Sequence, residues 1–221
     1  MDAVRVALLR EVLAGTEWLE ATRRFAGSLR SSVEPRAGDL LLVGSAEYEP
    51  WHLAAHLDDE AAWSGLPQLS PTLVRHRIRP GVPPHLAVGL ARLEAARRGE
   101  TVLVVSPGRP GDTLLERVHD ARRAGATVLA LDGGDRDLHS LAHDALAVPG
   151  PLSGPPRAPD SPDPECEAPE DTEPVGLDTV QHLVSAAAGE NSLPAPRGRR
   201  RFRDRLSRLA EQLTTPPPTR W

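Results

Sequence analysis

The stretch Thr101–Leu131, TVLVVSPGRPGDTLLERVHDARRAGATVLAL, decides the fold. It opens on an uncharged run, Thr101–Val105, of the kind required by a strand buried on both faces. Ser106–Gly111 follows with prolines and glycines, the composition of a turn. Asp112 or Thr113 then opens a helix that runs to Ala124, and Gly125 stops it. Thr127–Leu131 is a further buried strand. A strand, a short turn, a helix and another buried strand describe one parallel crossover unit.

The alternation continues on both sides. Upstream, Asp39–Val43 (DLLLV) is another apolar run, broken by Gly44-Ser45. Pro50 suits the first turn of a helix that reads from Trp51 to Trp63. Thr72–Ile78 (TLVRHRI) alternates, as a strand nearer the sheet edge does. Pro84–Arg98 reads as a helix ended by Gly99. Downstream, Leu138–His143 predicts a short helix and Ala145–Val148 a short last strand. Residues 2–33 carry Val4, Leu8, Val12, Trp18, Leu19, Phe25 and Leu29 near the helical period, and Pro35 and Gly38 end that helix. We therefore expect an α/β fold over residues 1–149, a five-stranded parallel sheet with helices on both faces in a flavodoxin-like three-layer arrangement. Ligands of such sheets bind at the carboxyl ends of the strands, which points to the loops after Val43 and Val105.

Composition changes beyond this region. Residues 150–174 hold eight prolines and seven carboxylates, a mixture that cannot bury enough surface to fold, so we read a disordered linker. Residues 175–192 contain one more helix, GLDTVQHLVSAAAG at 176–189, expected to pack back on the domain. In the tail, 193–221, seven arginines fall within residues 197–208. Arg201–Leu213 suits an amphipathic helix with Leu206, Leu209 and Leu213 on one stripe.

All 26 basic residues are arginine, so lysine Schiff bases and a P-loop lysine are excluded. The single cysteine, Cys166, excludes an intramolecular disulfide and a cysteine-based zinc cluster. No apolar run reaches a membrane-spanning length, and the first residues lack the pattern of a secretion signal. The default expectation is cytoplasmic. The formal charge of −5 gives no global argument for nucleic acid. Arg197–Arg208 could meet nucleic acid or an acidic partner, but only Phe202 interleaves it, so a solvated or self-neutralised tail is the favoured reading. No G-x-G-x-x-G follows a strand, and a dinucleotide reading lacks its fingerprint.

Three segments together resemble the SIS (sugar isomerase) phosphosugar-binding family. GSAEYEPWHLAAHL at Gly44–Leu57 is similar to the strand–loop–helix of phosphoheptose isomerases, with one residue inserted in the loop. Thr101–Leu131 resembles the family's strand, phosphate loop, helix and next strand. DLHSLAHDALAVP at 137–149 resembles the element that closes the sheet. The resemblance covers residues 1–149, with 176–189 as the returning last helix. It implies a sugar phosphate ligand, a homodimer or homotetramer, and a site at the two loops.

A phosphate needs hydroxyls and backbone N–H groups at a tight loop before a helix. The candidates are Ser45 on the first loop, and Ser106, Gly108, Arg109 and Thr113 on the second. Two features oppose an anion: Pro107 and Pro110 lack N–H donors, and Asp112, like Glu47 and Glu49, brings a carboxylate.

His52 and His56 lie four apart and share one helix face, with Asp59 a turn further on. This spacing is competent for a divalent metal such as zinc when a third ligand comes from elsewhere. The resemblance places His52 on the family's histidine and His56 on its glutamate, and puts the remaining ligands on the last helix, where Gln181 and His182 stand. Glu49, His52 and His56 are the acid–base candidates. Without further ligands, a structural role for the two histidines is the favoured reading over the metal one. His76, His85, His119, His139 and His143 have no partner at a diagnostic spacing.

Three functions follow: a phosphosugar-binding protein acting as sensor or diverged sugar-phosphate isomerase, a non-enzymatic regulatory or assembly protein on the same fold, and a metal-dependent enzyme built on His52 and His56.

Overall fold

Three strands, β1 (Leu40–Gly44), β3 (Thr101–Ser106) and β4 (Thr127–Asp132), bury every residue except the partly exposed Thr127. In this computed structural model, which describes residues 17–34, 38–83, 86–148 and 176–190, they form the centre of a five-stranded sheet. The edge strands are β2 (Pro71–Val74) and β5 (Asp144–Ala147). The order is β2-β1-β3-β4-β5 and every pairing is parallel. The strand order reverses between β1 and β3, where open α/β sheets offer a ligand crevice.

Successive strand residues face opposite layers, and each layer has its own core. Leu40, Leu42, Leu103, Val105, Leu129 and Leu131 point to one side. There they meet α1 (Glu17–Val33), α2 (Trp51–Ser64) and α6 (Leu177–Gly189) through Phe25, Leu29, Leu53, Leu57, Val180 and Val184. Leu41, Val43, Val102, Val104, Val128 and Ala130 point to the other side. That side is covered by α3 (Ala91–Glu94), α4 (Asp112–Arg123) and α5 (Arg136–Leu141), using Leu93, Leu114, Val118 and Leu138.

The expected fold class stands, with shifts of one or two residues at most boundaries. Two elements differ more. The helix expected over 84–98 is reduced to Ala91–Glu94 among the described residues. The sheet edge competes for that backbone: the Arg75 N–H donates to the Val88 carbonyl at 2.9 Å, and Arg75 bridges Gly89 in parallel. The strand expected over 72–78 ends at Val74, so Arg75–Arg79 leaves the sheet at its carboxyl edge. The N-terminal part of the first helix (2–16), His85, the 150–174 linker and the 193–221 tail lie outside the described residues.

The returning helix α6 closes the first layer by packing on both α1 and α2. Arg30 of α1 donates to the Ala188 carbonyl at 3.2 Å and the Glu190 carbonyl at 2.9 Å. A cation at a helix C-terminus satisfies carbonyls that have no intrahelical partner and opposes the helix dipole favourably. No described helix is long and apolar enough to cross a membrane.

Gly44 ends β1 where the next loop folds back over it. A Cβ there would lie 1.8 Å from the Tyr48 carbonyl oxygen and 2.7 Å from the Pro50 ring. Gly27, on the exposed side of α1, has nothing within 4 Å of such an atom. Urea unfolding should separate the two: Gly44→Ala lowers stability by about 2–3 kcal/mol through overpacking, and Gly27→Ala raises it by about 0.5–1 kcal/mol through helix propensity.

Candidate functional site

The loop between β1 and α2 is tied down at both ends. Ser45 is buried, and its carbonyl accepts from the Tyr48 N–H at 3.3 Å. The Tyr48 hydroxyl reaches across to α6, accepting from Gln181 Nε2 at 2.7 Å and donating to Asp178 Oδ1 at 3.4 Å. Burial first, and Asp178 second to a Gln181 bond that opposes it, raise the phenol above its ordinary pKa. Tyr48 therefore stays protonated. The Glu49 carboxylate pairs with Arg75 at 3.3 Å.

One turn into α2, His52 and His56 stand on the same face, and α6 brings His182 against them. The ring centroids are 4.8 Å apart for His52–His56, 4.7 Å for His52–His182 and 4.2 Å for His56–His182. Nitrogen atoms from the three rings lie within 4.8 Å of one another. His182 is buried, and the Nε2 atoms of both His56 and His182 are buried without a hydrogen-bond partner. Burial, then the neighbouring His56 and His52, lower the His182 pKa to about 4 against the opposing pull of Asp178. The His56 pKa is lowered too, by burial and then by His52, with Asp59 opposing. Asp59 itself is exposed and outside the group.

Near pH 7 these two imidazoles are neutral, the form that ligates metal. Three imidazoles from two packed helices, two with idle buried nitrogens, fit a zinc-type ion with an open position. Ligand atoms around tetrahedral zinc sit about 3.3 Å apart, so the rings would have to draw in.

The second loop is built differently. Ser106 is fully buried, and its hydroxyl donates to the Gly108 carbonyl at 2.6 Å, while its own carbonyl accepts from the Gly133 N–H at 3.0 Å. The hydroxyl thus holds the turn. Gly111, at φ 85°, swings the chain into α4, a backbone conformation that favours glycine. Gly108 and Thr113 are exposed, and Arg109 reaches the exposed Asp112 at 3.4 Å. The anion-opposing Asp112 stands in the first turn of α4 with Arg109 beside it.

Sequence reasoning missed a cleft of about 340 Å³ at the carboxyl ends of β1 and β2. It is lined by the Gly44–Glu49 loop and by Val74, His76, Arg77 and Arg79. His76 Nε2 bonds the Gly44 carbonyl oxygen at 2.8 Å, which fixes the strand end to the cleft wall. Reading Thr72–Ile78 as one alternating strand hid it. The available signal was the run Arg75-His-Arg-Ile-Arg79 directly after the edge strand. Other histidines have structural partners: His139 Nε2 bonds the buried Asp132 at 2.6 Å, and His143 Nδ1 accepts from the Val128 N–H at 3.0 Å.

A scan against protein-family models gives no match, and a search of curated proteins gives none. Solved structures do resemble the chain. The sugar isomerase domain of the RpiR transcription factor from Sphaerobacter thermophilus is 18% identical, with 86% of this chain and 85% of that one covered, at a TM-score of 0.45. The Vibrio vulnificus NanR protein, complexed with ManNAc-6P, is 16% identical over 96% of this chain and 73% of that one, at 0.48. For a structure from Silicibacter pomeroyi DSS-3 the values are 17% identity, 94% of this chain and a TM-score of 0.46, and this chain spans about half, 52%, of its length. These are likenesses of fold.

The histidine cluster sets a pH dependence. The folded pKa of His182, about 4, lies below its ordinary 6.5. Between those values the unfolded chain binds a proton that the folded chain does not, so stability falls as pH drops through that window and is fully present above it. In metal-free protein, thermal unfolding from pH 7.5 to 4 should show a Tm that declines below about pH 6.5, and His182→Leu should flatten that decline.

Proposed function

We propose that this chain binds a phosphorylated sugar at the carboxyl ends of its central strands, together with a divalent ion, zinc by its donor set, on His52, His56 and His182. The observation that carries the reading is the convergence of three imidazoles with two buried, unpartnered Nε2 atoms beside the loop that leaves β1. Leaving two buried acceptors or donors idle costs roughly 1–3 kcal/mol each, a cost that a bound ion offsets. When bound, such an ion supplies a Lewis acid for a hydroxyl or carbonyl oxygen.

The chain's own groups do the rest. Tyr48, kept protonated and held by Gln181, offers a fixed phenol to the site. Glu49, paired with Arg75 at 3.3 Å, is an acid–base candidate. The set serves a sensor or an aldose–ketose isomerase equally. The resemblance of the sequence to the SIS family carries the expectation of a homodimer or homotetramer, which gel filtration checks.

A second reading, a regulatory or assembly protein that binds no phosphosugar, draws on the Ser106 hydroxyl being spent within its own turn. Thermal-shift titration distinguishes them. Zinc added to chelator-stripped protein should raise Tm, by about 2.7 kcal/mol of stability at a hundredfold excess over Kd. His182→Leu should abolish that rise without destabilising the metal-free form, because it also removes an orphaned nitrogen. A purely structural His182 predicts the reverse, lower stability and an unchanged zinc response. A panel of sugar phosphates including ManNAc-6P should then shift Tm further, and no shift with any of them favours the regulatory reading.

A further inference from the structure

The cleft at the carboxyl ends of β1 and β2 carries a charge pattern that the site described so far does not use. Its walls hold two guanidiniums, Arg77 and Arg79, both exposed and in no ion pair among the described residues. Arg75 beside them is engaged by Glu49 at 3.3 Å, and His76 by the Gly44 carbonyl at 2.8 Å. Of the two carboxylates in the wall, Glu49 is therefore paired and Glu47 is exposed. A volume of about 340 Å³ sits at the small end of ligand pockets, which run from roughly 300 to 1,000 Å³. That admits a small molecule.

The turn after β3 is the weaker place for an anion. Its serine is fully buried and turned onto the Gly108 carbonyl, Pro107 and Pro110 offer no N–H, and the Asp112 carboxylate opposes negative charge at the start of α4. Two guanidinium forks on the other side of the Gly44–Glu49 loop present ten N–H donors in planar pairs that match an oxyanion. Exposed carboxylate and backbone groups of the same wall can accept from hydroxyls.

We propose that this cleft is the oxyanion end of the site: Arg77 and Arg79 take the phosphate of a small phosphorylated polyol, and Glu47 accepts from its hydroxyls. The proposal rests on the phosphosugar reading and deepens it by moving the phosphate from the turn after β3 to the β2 side of the β1 loop.

Calorimetric titration of the full chain with glucose 6-phosphate, inorganic phosphate, gluconate and glucose tests it. Glucose 6-phosphate and phosphate should bind and glucose should not. The double variant Arg77→Ala/Arg79→Ala should weaken glucose 6-phosphate by at least about tenfold. The lysine double variant, which keeps charge without the fork, should recover only part of it. Arg109→Ala and Thr113→Ala should bind as wild type does. Because all four side chains are exposed, each variant should melt within a degree or two of wild type, which the same samples report. If Arg109→Ala or Thr113→Ala weakens binding and the Arg77/Arg79 variant does not, the cleft assignment is wrong and the phosphosugar reading survives. If gluconate binds more tightly than glucose 6-phosphate and the Arg77/Arg79 variant loses it, the cleft stands as an oxyanion site and the phosphosugar reading falls. If none of the anions binds, both are overturned.

Discussion

Burial of the central strands on both faces is the constraint from which the rest follows. β1, β3 and β4 have no polar face to turn to water, so each side of the sheet must be roofed by helices. One roof is completed locally, by α3, α4 and α5. The other is left open by α1 and α2 and is closed only when the chain returns after residue 175 as α6. That return is required by packing: without Val180, Val184 and Ala188 the layer would expose apolar surface. It also delivers His182 to His52 and His56, and Gln181 to Tyr48. Closing the fold and assembling the histidine cluster are one event.

The cluster runs against the interest of a core. Its position on the α2–α6 seam would be filled at lower cost by leucine or phenylalanine, which need no partners. Instead, buried imidazole nitrogens stand idle, and their burial drives proton affinity down. Buried polar groups elsewhere on the same sheet are treated otherwise. Asp132 has both oxygens engaged, by the Asp135 N–H and by His139, and Ser106 has Gly108. This contrast separates His56 and His182 from the structural histidines His139 and His143. It rests on how the hydrogen bonds are distributed, independently of any likeness to other proteins.

The strands and the returning helix were legible in the sequence because their signals are strong: uncharged runs such as DLLLV and TVLVV, and an apolar helix isolated behind a proline-rich stretch. The helix expected over 84–98 was not, because local composition does not say that Val88 and Gly89 will be recruited by the backbone of Arg75. For the site, the spacing of His52 and His56 placed them on one face at once. The convergence with His182 needed the tertiary return of α6. The burial of Ser45 and Ser106 could not be read from a turn's composition, since a serine that caps its own loop and one that awaits a ligand have the same sequence. The arginines after Val74 were hidden by a period-two pattern that runs past the end of the strand it describes.

Three of these misreadings, Ser45, the Val88–Gly89 segment and the arginines after Val74, share a location, the β1 loop and the β2 edge, and that location organises the site. Gly44–Pro50 is a strap held from two directions. On one side the Tyr48 hydroxyl binds it to α6 next to the histidines; on the other His76 holds the Gly44 carbonyl and Arg75 holds Glu49. A strap so anchored cannot be displaced at one end without loading the other, since Gly44 has no space for even one added atom and Pro50 starts α2 directly. An anion drawn to Arg77 and Arg79 would act on the same loop that ends at His52. The two halves of the site, an arginine-bearing cleft and an imidazole cluster, are therefore coupled by covalent continuity over a few residues. Each is chemically suited to what the other is not: guanidiniums to oxyanions, imidazoles to a divalent ion.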